Sequence, residues 1–245
     1  MADSFVSFKD MADAIRDDLR LRFREKLPFA CVVALTRTAV KCRDEMKEHA
    51  RKAFDRPTPY ALNAFAARPA TKQNLASAVY LKPGTGGKMT PASYFLGPEI
   101  EGGVRRNKRS EKAFAAAGLI NPGAYVTPGS AAALDEYGNQ SRGQIVQIMS
   151  ILRAFGEQGY RANRVKGWSR KTRTGQIFAV RGGSNRRGLK PGVYRRKAGG
   201  GVECLMIFVK KTPVYRQRLP FNELVAADAA RIFPAELDAA LERFA

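Results

Sequence analysis

The residues that could do chemistry are few. His49 is the single histidine. That removes His-based metal sites and most catalysis that passes a proton through imidazole, and Ser/His/Asp or Cys/His schemes would all hang on one side chain with no nucleophile placed beside it. Cys31, Cys42 and Cys204 form no CxxC pair and leave one thiol over under any disulfide scheme, so they read as reduced core residues. Between Lys112 and Arg218 the acidic residues are Asp135, Glu136, Glu157 and Glu203. A two-metal nuclease needs clustered carboxylates. Asp135 and Glu136, beside Tyr137, are the pair that could start such a cluster, and their plainer reading is a solvent-facing turn or the cap of the following helix. The run GTGGKMT over 84–90 superficially resembles a phosphate-binding loop, but Lys82 stands where the first glycine belongs and Met89 where a hydroxyl should reach magnesium. These observations predict a protein that is not an enzyme, with no cofactor and no metal.

The abundant chemistry is cationic. The chain carries 43 Lys and Arg against 22 Asp and Glu, a formal +21 at pH 7. Seventeen of the basic residues and one acidic residue, Glu203, fall between Arg161 and Arg218. Such a segment repels itself and calls for a counter-charge, either nucleic acid or an acidic protein face. The basic runs are 105–109, 161–173, 181–197 and 210–218. The residues expected to face DNA or an assembly partner are Arg105, Arg106, Lys108, Arg109, Arg170, Lys171, Arg173, Arg186, Arg187, Lys190, Arg195, Arg196 and Lys197. Trp168, Tyr194 and Tyr215 interleave with them, a mixture that suits single-stranded nucleic acid, where bases stack on rings. The alternative is that these aromatics are core or interface anchors. No helix-turn-helix, zinc-finger, RRM or KH signature occurs, so any binding would be to phosphate, non-specific and steeply salt-dependent.

The elements that must position these residues are legible in outline. Phe8, Met11, Ile15, Leu19 and Phe23 recur at helical spacing, predicting a helix over 4–26 that Pro28 ends. Val32, Leu35, Ala39, Cys42, Met46, His49 and Ala53 form a heptad-like seam on a second helix over 29–54. That seam needs an apolar partner, with the chain's own sheet favoured over a neighbouring subunit. Thr58 is a cap for a short helix over 60–65, and 75–82 reads as a strand. Short helices are expected over 91–97 and 110–118, a turn over 98–103, and an ordered excursion or flexible loop over 119–133. A helix follows over 144–155. Asn222 should cap a final helix that runs past Pro234 to the end.

The strongest strand signals lie near residue 200. The runs 177–180, 193–194 and 202–209 are apolar, β-branched or aromatic, with Gly and Pro between them. They predict an antiparallel meander whose last strand, apolar on both faces, is central and covered on both sides. The fold class is therefore α+β: an antiparallel sheet with its meander in the C-terminal half, packed with long N- and C-terminal amphipathic helices. One domain over 1–245 is expected, with a loop-rich insertion at 91–143. No run approaches the roughly 18–20 apolar residues of a membrane span. Without a signal-peptide pattern, the expectation is synthesis in the cytoplasm and no membrane partner.

The layout resembles the minor tail protein Z, or tail-completion, family of tailed phages. The likeness lies in the run from Val33 to Val40 opening a long amphipathic helix with a basic exit toward Arg56. It lies also in the arginine-dense turn 188–196 before the apolar strand 205–209, and in the ending from Val214 to Phe221 leading into a helix with Phe233, Pro234, Ala235, Glu236 and Leu237. Residues 91–143 fall outside it. The resemblance implies a virion structural protein that forms a homo-oligomeric ring at the head–tail neck or tail end. Its partners would be copies of itself, other neck or tail proteins and phage DNA, contacted non-specifically. The weaker alternatives are a non-specific nucleic-acid-binding protein and a metal-dependent endonuclease.

Overall fold

A computed structural model describes residues 17, 26–84, 90–154, 174–181 and 188–244. The predicted first helix, apart from Asp17 and Lys26, lies outside the described residues, as does most of the 84–90 loop. The fold class is α+β. The chain packs as two compact units where the sequence suggested one domain: Met1–Glu101 with Gln217–Ala245, and Gly102–Arg216. Among the described residues, no helix is long and apolar enough to cross a membrane.

The first unit is built on two long helices. Helix α1 spans Leu27–Ala53. It starts two residues before the expected Phe29 and carries Pro28 in its first turn, where proline gives up an N–H that has no intrahelical partner anyway. Helix α6 spans Phe221–Phe244 and continues through Pro234. It begins one residue before Asn222, with the Leu224 N–H donating to the Pro220 carbonyl at 3.0 Å. Within the first unit α1 packs along α6, and its buried residues, Ala30, Ala34, Thr38, Ala39, Cys42, Met46 and Ala50, coincide with the predicted seam only at Ala39, Cys42 and Met46. Ala30, Ala34 and Ala240 are fully covered there, with Val33, Phe233 and Leu237 around them. Alanines on both sides let the helix backbones approach closely.

Charged residues mark the rims of this helix pair. Glu236 of α6, buried, pairs with Lys41, and Arg37 lies 4.0 Å away. Nearer the end of α1, His49 Nε2 lies 3.0 Å from Asp228 Oδ2, and Arg231 reaches Asp228 Oδ1 at 3.1 Å and Glu45 Oε1 at 3.3 Å. Farther on, Met46, Ala50, Ala64, Phe65, Leu96 and Leu219 form a second apolar cluster. Met46 is 0% exposed. Met46→Ala is expected to cost about 3 kcal/mol, read as a lower urea midpoint, because the cavity closes only in part.

Around the helices lie four smaller elements. Helix α2, Pro59–Leu62, is capped by Thr58, whose hydroxyl accepts the Ala61 N–H at 3.1 Å. It stops short of Phe65, which instead opens strand β1, Phe65–Arg68, paired antiparallel with β2, Ala78–Leu81. Helix α3 spans Ala92–Glu101, so the turn expected at Pro98 is helical. Glu99 explains why this end is held. Its carboxylate takes both the Nε and Nη2 of Arg218, at 2.7 and 2.8 Å. Its carbonyl accepts the backbone N–H groups of Arg218 and Leu219.

The second unit holds a four-stranded antiparallel sheet in the order β4-β7-β6-β5. Strands β5 (Ile177–Val180), β6 (Gly192–Arg196) and β7 (Val202–Val209) are the expected meander. Strand β7 is central, and its successive residues Leu205 and Met206 are 1% and 2% exposed, so both faces are covered at its middle. The fourth strand, β4 (Tyr125–Pro128), comes from the stretch expected to be a loop. It is an edge strand, where a proline's missing N–H is tolerated, and it pairs Tyr125 with Val209 and Pro128 with Met206.

Helices α4 (Arg109–Ala116) and α5 (Arg142–Ile151), not the terminal helices, supply Phe114, Ile148 and Met149 to this sheet's core. Gly118, at φ +65°, ends α4 as the sequence indicated. Ser141, rather than Asp135 or Glu136, caps α5. A two-residue ribbon, β3 (Gly103–Val104) with β8 (Val214–Tyr215), completes the unit. The segment 91–143 thus carries helices and an edge strand that belong to both units' cores.

Candidate nucleic-acid and assembly interface

The division into units sorts the charge. Residues 102–216 hold 23 Lys and Arg against 5 Asp and Glu, a net of +18, while the other unit holds 20 against 17, a net of +3. Nearly the whole imbalance therefore belongs to residues 102–216.

Within that unit the predicted basic residues divide by how they are held. Arg105 is a structural cation. Its guanidinium makes a bidentate pair with Glu111, Nη1 to Oε2 at 2.9 Å and Nη2 to Oε1 at 2.6 Å, and lies over the Tyr125 ring at 4.7 Å. Glu111 is 1% exposed and also accepts the N–H groups of Lys108 (2.6 Å) and Val126 (2.9 Å). Burial by itself would raise the Glu111 pKa; the Arg105 pair and the two backbone donors outweigh it and hold the carboxyl below its ordinary value. The same pairing pushes the Arg105 pKa up.

Two more predicted residues are engaged on the sheet. Arg195 on β6 sits directly opposite Glu203 on β7 and pairs with it. Arg196 donates to Gln176 Oε1 at 3.2 Å and covers the Phe178 ring at 5.1 Å. Tyr194 is buried, donates to the Lys190 carbonyl at 2.7 Å and stacks on Phe178, so it is an anchor rather than a platform for bases. Arg106, Lys108 and Arg109 are exposed around the start of α4. Lys190 and Lys197 are exposed, and neither ammonium has an acidic partner among the described residues. Arg170, Lys171, Arg173, Arg186 and Arg187, together with Trp168, lie outside the described residues.

Singling out residues by local charge density missed a feature that only packing creates. A cleft of about 250 Å³ opens beside β7, with Leu119, Ile120 and Phe208 in its lining and Arg181 and Lys210 among its residues. Its signal in the sequence was faint: an apolar pair, Leu119 and Ile120, inside a run of small residues.

The other chemistry has a place in the structure too. Asp135 Oδ1 accepts the N–H groups of Tyr137 (3.0 Å) and Asn139 (2.8 Å), a turn-stabilising role for this oxygen. In the first unit, the ligand atoms of Glu45, His49 and Asp228 all lie within 4.8 Å of one another. The lone histidine is thus brought to two carboxylates, which the sequence did not indicate. The Arg231 guanidinium bonds both carboxylates there. Cys31, Cys42 and Cys204 are free thiols. Compared with known proteins, the chain matches no family model, no curated protein and no solved structure.

Proposed function

We propose that this chain is a structural protein of a tailed-phage particle, a tail-completion, neck or minor tail component that assembles as a ring around the DNA channel and resides in the virion. The observation that carries the reading is the concentration of a net +18 on residues 102–216. A unit so charged repels its like, so copies can join only where acidic residues of one meet cations of the next, and the cations left over would suit a ring that encloses DNA. The resemblance in layout to the minor tail protein Z family supports the same reading. The role is assembly through protein–protein contacts, with phage DNA nearby and contacted without sequence preference.

Mass in solution tests it. Light scattering at low and at roughly physiological salt, with and without duplex DNA, is expected to give a closed oligomer without DNA. A monomer that associates only on DNA and releases it as salt rises would replace this reading with the second one, a non-specific nucleic-acid-binding protein. The exposed cations Lys190 and Lys197 favour that second reading. If they neutralise phosphates, Lys190→Glu/Lys197→Glu should flatten the slope of log affinity against log salt by about 1 for each lysine so engaged.

A further inference from the structure

The cleft of the second unit and the last turns of α6 have complementary chemistry. In the cleft, Leu119 and Ile120 are 9% and 8% exposed and Phe208 is half-buried beside them. Arg181 and Lys210 are exposed there, and neither has an acidic partner among the described residues. On α6, Asp238, Leu241 and Glu242 are exposed at i, i+3 and i+4, the spacing that places side chains on one helix face. Leu241 is 38% exposed, and neither carboxylate has a partner among the described residues. Over its length α6 carries five acidic residues against two basic ones.

We propose that the C-terminal turns of α6 in one copy dock into this cleft of a second copy, Leu241 entering over Leu119, Ile120 and Phe208 while Asp238 and Glu242 face Arg181 and Lys210. This rests on the assembly reading and names its contact. A duplex, its bases already stacked inside, would use the two cations and not the apolar lining; an apolar side chain flanked by carboxylates uses both. A chain of +21 also repels its own copies, so self-association is favoured where its spare carboxylates meet its cations. The two patches are different surfaces, so the contact is head-to-tail, and a rotation that closes makes a ring.

Sedimentation of the full chain at about 0.1 M salt tests the contact, with circular dichroism to verify folding. Wild type should be oligomeric. Arg181→Glu/Lys210→Glu and Asp238→Lys/Glu242→Lys should each associate about 100-fold more weakly or worse, since like charges then face each other. The variant carrying all four changes should regain the oligomer. Leu241→Ala, a milder change that leaves every charge in place, should weaken association about 10-fold. If wild type is oligomeric and the double variants keep its mass, this contact is overturned while the assembly reading stands. If Arg181→Glu/Lys210→Glu weakens only DNA binding and leaves the mass unchanged, the cleft is a phosphate site and the contact is likewise overturned. A wild-type chain that is monomeric at its highest soluble concentration overturns both the contact and the self-assembling ring.

Discussion

Glu111→Ala is expected to lower the stability of the second unit by about 4 kcal/mol, because it leaves a half-buried guanidinium and two backbone N–H groups without their acceptor. The Glu111 carboxylate, in the first turn of α4, joins three parts of the unit: Arg105 after β3, the N-cap of α4 through the Lys108 N–H, and the edge strand β4 through the Val126 N–H. Asn107 is held in the same corner by its 2.9 Å hydrogen bond to the Ala124 carbonyl. Urea unfolding followed by circular dichroism should show the loss as a lower midpoint at unchanged slope. The double variant Arg105→Ala/Glu111→Ala should lose clearly less than the sum of the two single changes, because the first change already breaks the pair. Additive losses would show that the two residues act independently.

The same carboxylate gives the unit a pH dependence of known sign. The folded Glu111 pKa lies below its unfolded value, so the unfolded chain binds this proton more readily. Its contribution is therefore fully present above the ordinary glutamate value, about 4.3, and is lost as pH falls through the lower folded value. The wild-type midpoint should drop across that acid window, and the part due to this residue should be missing in Glu111→Ala.

Gly192→Ala is the second large effect expected, a loss of about 3 kcal/mol. Gly192 is buried in β6, where a Cβ would stand 2.3 Å from the Met206 carbonyl oxygen of the neighbouring strand. That oxygen belongs to backbone, so the strands would have to part. The position pairs with Ile207 in the register of β6 against β7, next to the irregularity at Val193 and Tyr194. Gly143→Ala is the matched control. Its Cβ would meet only the Ser141 hydroxyl at 3.7 Å, inside α5. A small gain of up to about 1 kcal/mol is expected there, because alanine loses less backbone entropy on folding. Equal losses at both positions would mean that the close strand approach is not the cause.

By itself the sequence determined the local elements and the charge. β-Branched and aromatic runs bounded by glycine marked β5, β6 and β7, because strand pattern and turn chemistry are both short-range. Helical spacing marked α1 and α6, Thr58 marked a cap, and Gly118 marked a helix end for the same reason. The cationic excess was a matter of counting. What the tertiary structure decided was long-range pairing. Spacing showed that α1 is amphipathic but not which stripe is covered: Val32, Leu35 and His49 of the predicted seam are half-buried, while Ala30 and Ala34, off that seam, are fully covered against Ala240 of α6. The run from Tyr125 to Pro128 has too little β signal to be read as a strand until β7 supplies its hydrogen bonds. Arg105 looks like any surface cation in a basic run, and only the fold brings buried Glu111 to it. The cleft at Leu119, Ile120 and Phe208 joins residues nearly ninety positions apart, a separation that no local pattern records.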